Sequence, residues 1–571
     1  METGDKIRGR WPDWAALACY LAAAVVVLLP LWSDPNGKML ADNAQDETFF
    51  EWVLTHAARS VTHGDSPIFT DQLNAPLGVN LMANTSVLGL ALPLSPVTLL
   101  FGAGVTFVLI STLALALTAA AWYYVFSRHL VRRPAAAFAG GLFCGFAPAM
   151  VSQVTGHPNI AGQFLIPFIV LTVARLREPG SPWRRGLILA GLVIYQCFLN
   201  EEMLFLTALT LLIFLLVYLP PGEWWPALRR ALPAFGVAAL VAGVVLAYPL
   251  WRQFAGPQSY RGLPGFVLGL SSDLASFKEF SRRSIFGGSA ANLARIDMMG
   301  GPTEENTFFG IPLVLLFLAA AVALWRVRVA RAAVVTAVLF ALLSLGNLVK
   351  YNGTETTWTG PWKLLSDLPL FDSVVPTRLA LVITPMLGIL VALLLDRFEG
   401  FPAAVWASAV IAALIPLIPT PQPAADRTVP VFFTSGDWRS HVPKDGTVVP
   451  VPGGWYEYLE AMEWSTAADQ DFNIVGGYFL GPDSNKVGTF GPVSPPTMQL
   501  LEQVSGTGTV PLVGDEQRAQ ARADVSYWRA TTLVLSDRHG NGDQLRQTVD
   551  QLFGPGQHVD DVWLWDVRST T

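Results

Sequence analysis

Charge is what this chain most lacks. Of its 571 residues, 14% are Asp, Glu, Lys or Arg and 52% are hydrophobic. Soluble domains carry about 25% charged residues, so a soluble globular protein is excluded. Mean hydropathy is +0.43, which fits an integral membrane protein. Cysteine is scarce too. The three cysteines, Cys19, Cys144 and Cys197, all fall in apolar segments, so no disulfide framework is implied for the polar C-terminal part. There is no zinc-type Cys/His cluster, no phosphate loop and no dinucleotide glycine pattern. Internal repeats and low-complexity tracts are also missing. The formal net charge of −6 says little, because the two signs are sorted by side. No nucleic-acid partner is expected.

What is present is a series of apolar segments. A helical span needs about 20 apolar residues. Eleven candidates fall at 14–32, 104–126, 135–153, 160–176, 187–199, 203–219, 233–250, 308–325, 332–348, 378–395 and 401–419. The first follows Lys6, Arg8 and Arg10 without a small-residue cleavage site and reads as a retained signal anchor. Lys and Arg near segment ends set orientation. With eleven spans, Arg128, Arg132, Arg133, Arg175, Arg177, Arg184, Arg185, Arg229, Arg230, Arg326, Arg328, Arg331 and Arg397 all fall on the side of the N-terminus. Residues 87–102 hold two prolines and read as a re-entrant or interfacial half-helix. The N-terminus is then cytoplasmic. The outer face carries loops 33–103, 251–307 and 349–377, the tips Gly156–Asn159 and Asn200–Glu202, and everything after about Thr420.

The fold class expected is therefore an α-helical polytopic membrane domain, 1–419, followed by a small extracytoplasmic α/β domain, 420–571. A proline-rich linker, IPLIPTPQP, precedes the latter. Strands are expected at Thr447–Val451, Asn473–Phe479, Thr532–Leu535 and Val562–Asp566, with a helix at Gly542–Phe553. This part is expected to fold alone without disulfides and to bind an acceptor or partner.

The stretch Ala41–Asn84 crowds four acids, Asp42, Asp46, Glu47 and Glu51, at the start of an amphipathic run. Phe49, Val53, Ala57 and Val61 recur there at helical spacing, which suits a membrane interface. Acids near a helix N-terminus are favoured by its dipole. The plain reading is helix-start chemistry on an interfacial anchor. The functional one is a reaction site on the outer face.

This layout resembles the GT-C glycosyltransferases, polytopic enzymes that use polyprenyl-phosphate-linked sugars. The stretches DETFFEW, HGDSPIFTDQLNAPLGVNLMANTS, GFAPAMVSQVTGHPN and AMEWSTAADQDFNIVGGYF also look like a group of large actinobacterial membrane proteins placed near that class. The resemblance implies a catalytic acid early in the first outer loop. Asp46 matches that position, and Asp42, nearer the membrane, is its rival. It also implies a polyprenyl-phosphate sugar donor held among membrane lipid, and an envelope glycan, lipid or protein as acceptor, in a bacterial plasma membrane.

Transfer of a sugar from a lipid phosphate needs a base, a cation for the phosphate and a groove for the prenyl chain. A carboxylate within hydrogen-bond reach of the acceptor can be the base. Glu47 is a candidate substrate contact, although solvent exposure or helix capping is the plainer role for it and for Glu51. Glu201 and Glu202 sit at a hairpin tip between apolar helices, where acids bind acceptor or metal or are simply solvated. His157, between glycine and proline, suits sugar, phosphate or metal. Its plain role is a hydrogen-bonded loop histidine. Arg378 opens the tenth span and suits bidentate phosphate binding, against a headgroup-snorkelling role. Arg261, Lys278, Arg282 and Arg283 are secondary. Acidic oxygens suit magnesium or manganese, and no spacing demands either. The rival functions are an envelope lipid or polysaccharide transporter and a non-catalytic envelope assembly protein.

Overall fold

Proline punctuates the helical part of the chain. Pro134, Pro148, Pro158, Pro182, Pro221 and Pro376 each stand in the first turn of a helix. There the missing N–H costs nothing and the fixed φ is already helical. The structure, a computed structural model, describes residues 11–84, 87–287, 301–454 and 458–570. Lys6, Arg8, Arg10 and part of the 251–307 loop lie outside the described residues.

Each expected apolar stretch is helical, as backbone satisfaction in lipid requires. Seven helices are long and apolar enough to cross a membrane: Ala103–Leu130, Pro134–Gln153, Pro158–Arg175, Glu201–Tyr218, Pro221–Ala255, Pro376–Arg397 and Gly400–Leu417. Asp13–Val27 and Gly310–Leu324 are shorter and apolar. Pro182–Cys197 and Arg328–Leu343 have 16 residues each. Pro221–Ala255 has 35 residues with three internal prolines, well beyond the 233–250 expected from hydropathy. At about 1.5 Å per residue it outruns a bilayer core of about 30 Å. The helix Ile383–Arg397 lies at the centre of the bundle, with twelve buried residues. It meets Pro134–Phe146 backbone to backbone. A Cβ on Gly140 would stand 2.9 Å from the Gly388 carbonyl, so a small residue is required there. Residues 87–102 form two short helices, Leu88–Ala91 and Ser95–Phe101, and expose Leu99, Leu100 and Phe101.

After Thr420 the chain builds a five-stranded sheet. Its order is Gln557–Val559, Val562–Asp566, Ala530–Ser536, Thr447–Pro450, Asn473–Ile474. The last three strands are mutually parallel; the first two pair antiparallel. The expected strand at Asn473–Phe479 stops at Ile474, because Gly476 and Gly477 take positive φ. Helices Pro496–Thr507 and Asp515–Trp528 were not expected from the sequence.

Strand alternation sorts the core. Val449, Leu533 and Leu535 face a core of their own with Leu501, Val525 and Leu545. Val448 and Val534 face the other way, into a core shared with Phe432, Trp464, Phe472 and the membrane helices. The proline-rich segment is pinned rather than a free linker. Gln422 N–H donates to the Val27 carbonyl at 2.8 Å, and Lys38–Leu40 pairs antiparallel with Ala424–Asp426. This docking places the part after Thr420 directly over the first loop.

Candidate active site

The helix Ala44–His63 carries the acids of the first loop. It does not lie on a membrane surface. Phe49, Val53 and Ala57 are buried, and of the expected stripe only Val61 is exposed, at 61%. The helix packs against Ser95–Phe101 and Ala103–Val125 below and Glu460–Ala467 above. Trp52 donates to Ser465 Oγ at 3.2 Å, and its carbonyl accepts from Gln470 at 2.7 Å. The interfacial-anchor expectation is thus corrected. Hydrophobic periodicity cannot tell lipid from protein as the covering phase.

Asp46 sits in the first turn. Its Oδ1 accepts from the Tyr478 hydroxyl at 2.7 Å. Its Oδ2 accepts from Asn43 Nδ2 at 2.6 Å and lies 3.1 Å from His157 Nε2. Burial alone would raise this carboxyl, but His157, Asn43 and Tyr478 together hold it below its ordinary value. It is a carboxylate at neutral pH. The same burial, with Asp46 beside it, pushes the Tyr478 phenol well up, so its proton stays on.

From Asp46 a hydrogen-bonded chain runs across the bundle. His157 Nδ1 meets Gln153 Oε1 at 3.2 Å, and Gln153 donates to Asn306 at 2.8 Å. Asn306 donates to Glu304 at 2.9 Å. Glu304 Oε1 accepts from Arg378 Nε at 2.9 Å and Nη2 at 2.7 Å, and Arg378 Nη1 donates to Glu202 at 2.9 Å. Asp46, His157, Glu201, Glu202 and Arg378 all line one cavity of about 310 Å³. Tyr260, Tyr478 and Phe490 give it an aromatic wall, with Tyr478 and Phe490 stacked 5.5 Å apart. Asn159 Oδ1, Glu202 Oε1 and Gln253 Oε1, all on lining residues, are buried acceptors without a hydrogen-bond partner.

Asp42 and Glu47 stand apart from this cavity. Asp42 pairs with Arg283, and Arg282 binds Glu305, so both cations have acidic partners. Glu47 neither faces solvent nor lines the cavity, and Glu51 is buried as well. Both are buried around Arg427, which meets Glu51 at 2.6 Å and Glu47 at 3.6 Å. Glu47 also accepts the Leu40 N–H at 2.5 Å. Burial and Glu51 push Glu47 up to about 8, against the pull of Arg427. Glu463 is pushed to about 7, chiefly by burial. The solvent-facing expectation failed because Arg427, 376 residues on from Glu51, supplies the counter-charge.

Sequence reasoning missed Tyr478, Asn43 and Glu304. The acids Glu304 and Glu305 in the long outer loop were a visible signal. Tyr478 stood within GGYF but carried no sign of its distant partner.

A second cavity, apolar and of about 640 Å³, opens between the helices Ile166–Arg175, Pro182–Cys197, Glu201–Tyr218 and Pro221–Ala255. Leu204, Leu211, Leu215 and Phe235 line it. Glu201–Tyr218 contributes to both, with its first turn lining the polar cavity and its body the apolar one.

A family described as "Domain of unknown function (DUF6311)" matches residues 58–417. The chain belongs to this family. No curated protein matches the chain in sequence. Three solved structures resemble this DUF6311 protein in fold. The arabinofuranosyltransferase AftD from Mycobacteria matches with a TM-score of 0.58 at 15% identity. The match covers 98% of this chain but 40% of that one, so the DUF6311 chain spans well under half of AftD's length. The oligosaccharyltransferase of Archaeoglobus fulgidus matches at 0.51 and 10% identity, over 95% and 72% of the two chains. ArnT from Cupriavidus metallidurans, solved bound to undecaprenyl phosphate, matches at 0.50 and 12% identity, over 98% of each. The fold is that of the GT-C membrane glycosyltransferases. The Archaeoglobus enzyme has also been solved with Zn and sulfate. Among the described residues of the DUF6311 chain, no three His, Cys, Asp or Glu converge to hold an ion, and the Asp46–His157 pair is satisfied internally.

Proposed function

We propose that this protein transfers a sugar from a polyprenyl phosphate to a cell-envelope acceptor on the outer face of a bacterial plasma membrane. The observation that carries this is a pair of cavities lined by one helix. One holds Asp46, Glu202 and Arg378; the other is an apolar groove along the same helix, Glu201–Tyr218. A phosphate headgroup fits the first and a prenyl chain the second. The orphaned acceptors Asn159 Oδ1, Glu202 Oε1 and Gln253 Oε1 call for hydroxyl donors, because an unpaired buried acceptor is costly. A sugar ring supplies several at once.

In this mechanism the acceptor hydroxyl displaces Tyr478 from Asp46 Oδ1. Its oxygen forms the new bond to the anomeric carbon, its proton passes to Asp46, and the bond from that carbon to the phosphate oxygen breaks. Polyprenyl phosphate leaves with the electron pair. His157 holds Asp46 Oδ2 and orients it. Asp42, engaged by Arg283 outside the cavity, is not the base. Arg378 takes the phosphate by exchanging Glu202, since Glu304 is the more deeply buried partner and is itself held by Asn306.

Eleven crossings put the N-terminus inside and the sheet after Thr420 outside, over the acceptor side. The test of the whole reading is transfer in proteoliposomes from a panel of radiolabelled polyprenyl-phosphate pentoses and hexoses. Transfer from at least one donor supports it. No transfer from any, with lipid movement across the same vesicles, favours a transporter. A cysteine in place of Ser181 should label only from inside and one in place of Leu512, 94% exposed, only from outside.

A further inference from the structure

A third cavity, of about 400 Å³, lies on the far side of one wall of the polar site. The wall is a two-stranded hairpin, Leu480–Pro482 paired antiparallel with Gly488–Phe490. The cross-strand partners Leu480 and Phe490 line the polar site, while Gly481 and Pro482 line the third cavity. Phe479 lines both, and its neighbour Tyr478 is the residue bonded to Asp46. Phe479 thus stands between the third cavity and the polar site that Asp46 lines.

Its lining has a consistent chemistry. Gly454, Gly476 and Gly481 leave bare backbone at its surface. A Cβ on Gly481 would lie 2.8 Å from the Phe479 ring, and one on Gly454 would lie 2.6 Å from the Val475 carbonyl, so larger residues would crowd the wall. Asn74, Gln258 and Ser484 add uncharged polar groups, and Tyr527 and Trp528 add aromatic faces. Among the described residues no lysine or arginine lines it. The one carboxylate among those described residues, Asp483, is turned to the Asn485 and Val487 N–H groups of its own turn, at 2.8 Å each. An anionic ligand would find no counter-charge, and a purely apolar one would strand the amides and backbone carbonyls. Aromatic faces with uncharged hydrogen-bonding groups suit a ligand with alternating C–H and O–H faces. The volume lies in the ordinary range for a small-ligand site, about 300–1,000 Å³.

We infer that this third cavity binds an uncharged oligosaccharide, the acceptor, and feeds its terminal hydroxyl past Phe479 to Asp46. The acceptor role rests on the transferase reading; the binding itself does not, and the two are separable by experiment.

The full chain, purified in detergent, is titrated by calorimetry with two neutral probes, an arabinofuranose hexasaccharide and a mannose tetrasaccharide, and with an acidic one, tetragalacturonate. At least one neutral probe should bind, and tetragalacturonate should bind at least tenfold more weakly. Tyr527→Ala and Ser484→Trp change exposed residues that line the cavity, one removing an aromatic face and one filling space. Each should weaken the neutral probe at least tenfold without shifting the melting temperature. Asp46→Asn should bind it as wild type does. Absence of binding by both neutral probes at millimolar concentration overturns the inference. So does equal binding of tetragalacturonate, or indifference to both variants. Neutral binding with these sensitivities, but no transfer from any donor, sustains the site and removes the transferase reading instead.

Discussion

Glu47→Gln should make the protein less sensitive to pH and more stable at pH 8. Glu47 is fully buried beside Glu51 and Arg427 and is pushed up to about 8, while its ordinary value is 4.5. A carboxyl raised in the native state binds more protons folded than unfolded. Its stabilisation is complete below the unfolded value and is lost as pH rises through the folded one. Between pH 8 and pH 6 the native group moves from half to nearly full protonation while the unfolded one stays ionised. That is worth about 2 kcal/mol in favour of pH 6. Glutamine is neutral throughout and its carbonyl can still accept the Leu40 N–H. The assay is unfolding followed by a thiol-reactive dye, since Cys144 and Cys197 are buried. Wild type should melt higher at pH 6 than at pH 8. Glu47→Gln should melt above wild type at pH 8 and keep only a residual slope from Glu463, which is pushed to about 7, and from Glu51, which burial also raises. A variant with the full wild-type slope, or one destabilised equally at both pH values, would refute the burial argument.

Two further outcomes follow from the site. Tyr478→Phe removes one of the donors that hold Asp46 low, so the acidic limb of the pH profile of kcat/KM should move to higher pH; an unmoved limb would separate Tyr478 from the base. Arg378→Gln should raise the donor KM by about 10- to 100-fold through loss of a charge-assisted contact. It should also destabilise by about 3–5 kcal/mol, because Glu202 and Glu304 stay buried without a cation. Adding Glu304→Gln should recover the melting temperature but not the donor KM, and recovery of both would make Arg378 merely structural.

The helical part of the fold was legible because lipid leaves the backbone few options and hydropathy reports burial in it directly. Asp46 stands out from a cluster of four acids only by the position that the family resemblance implies, and His157, Glu201, Glu202 and Arg378 as polar groups at the ends of apolar segments, where solvation is an equal reading. The structure gathers all five around one cavity. Their partners were not legible. Tyr478 reaches Asp46 across 432 positions, and Arg427 reaches Glu51 across 376. No local pattern encodes such a contact. The Ala44–His63 helix misled for a related reason, since its amphipathic stripe is the same whether lipid or the Glu460–Ala467 helix covers it. Glu47 and Glu51 misled because acids near a helix start are ordinarily solvated, and only a distant arginine makes their burial tolerable.

The central claim is that Asp46 is the base of a sugar transfer from a lipid phosphate. The most direct measurement is single-turnover transfer in proteoliposomes by wild type, Asp46→Asn and Asp42→Asn, with donor binding measured in parallel. A positioned base contributes about 10²–10⁴-fold. Asp46→Asn should therefore lose that much rate while binding donor normally, and Asp42→Asn should keep near-normal chemistry. Near-normal turnover by Asp46→Asn beside an inactive Asp42→Asn would contradict the assignment.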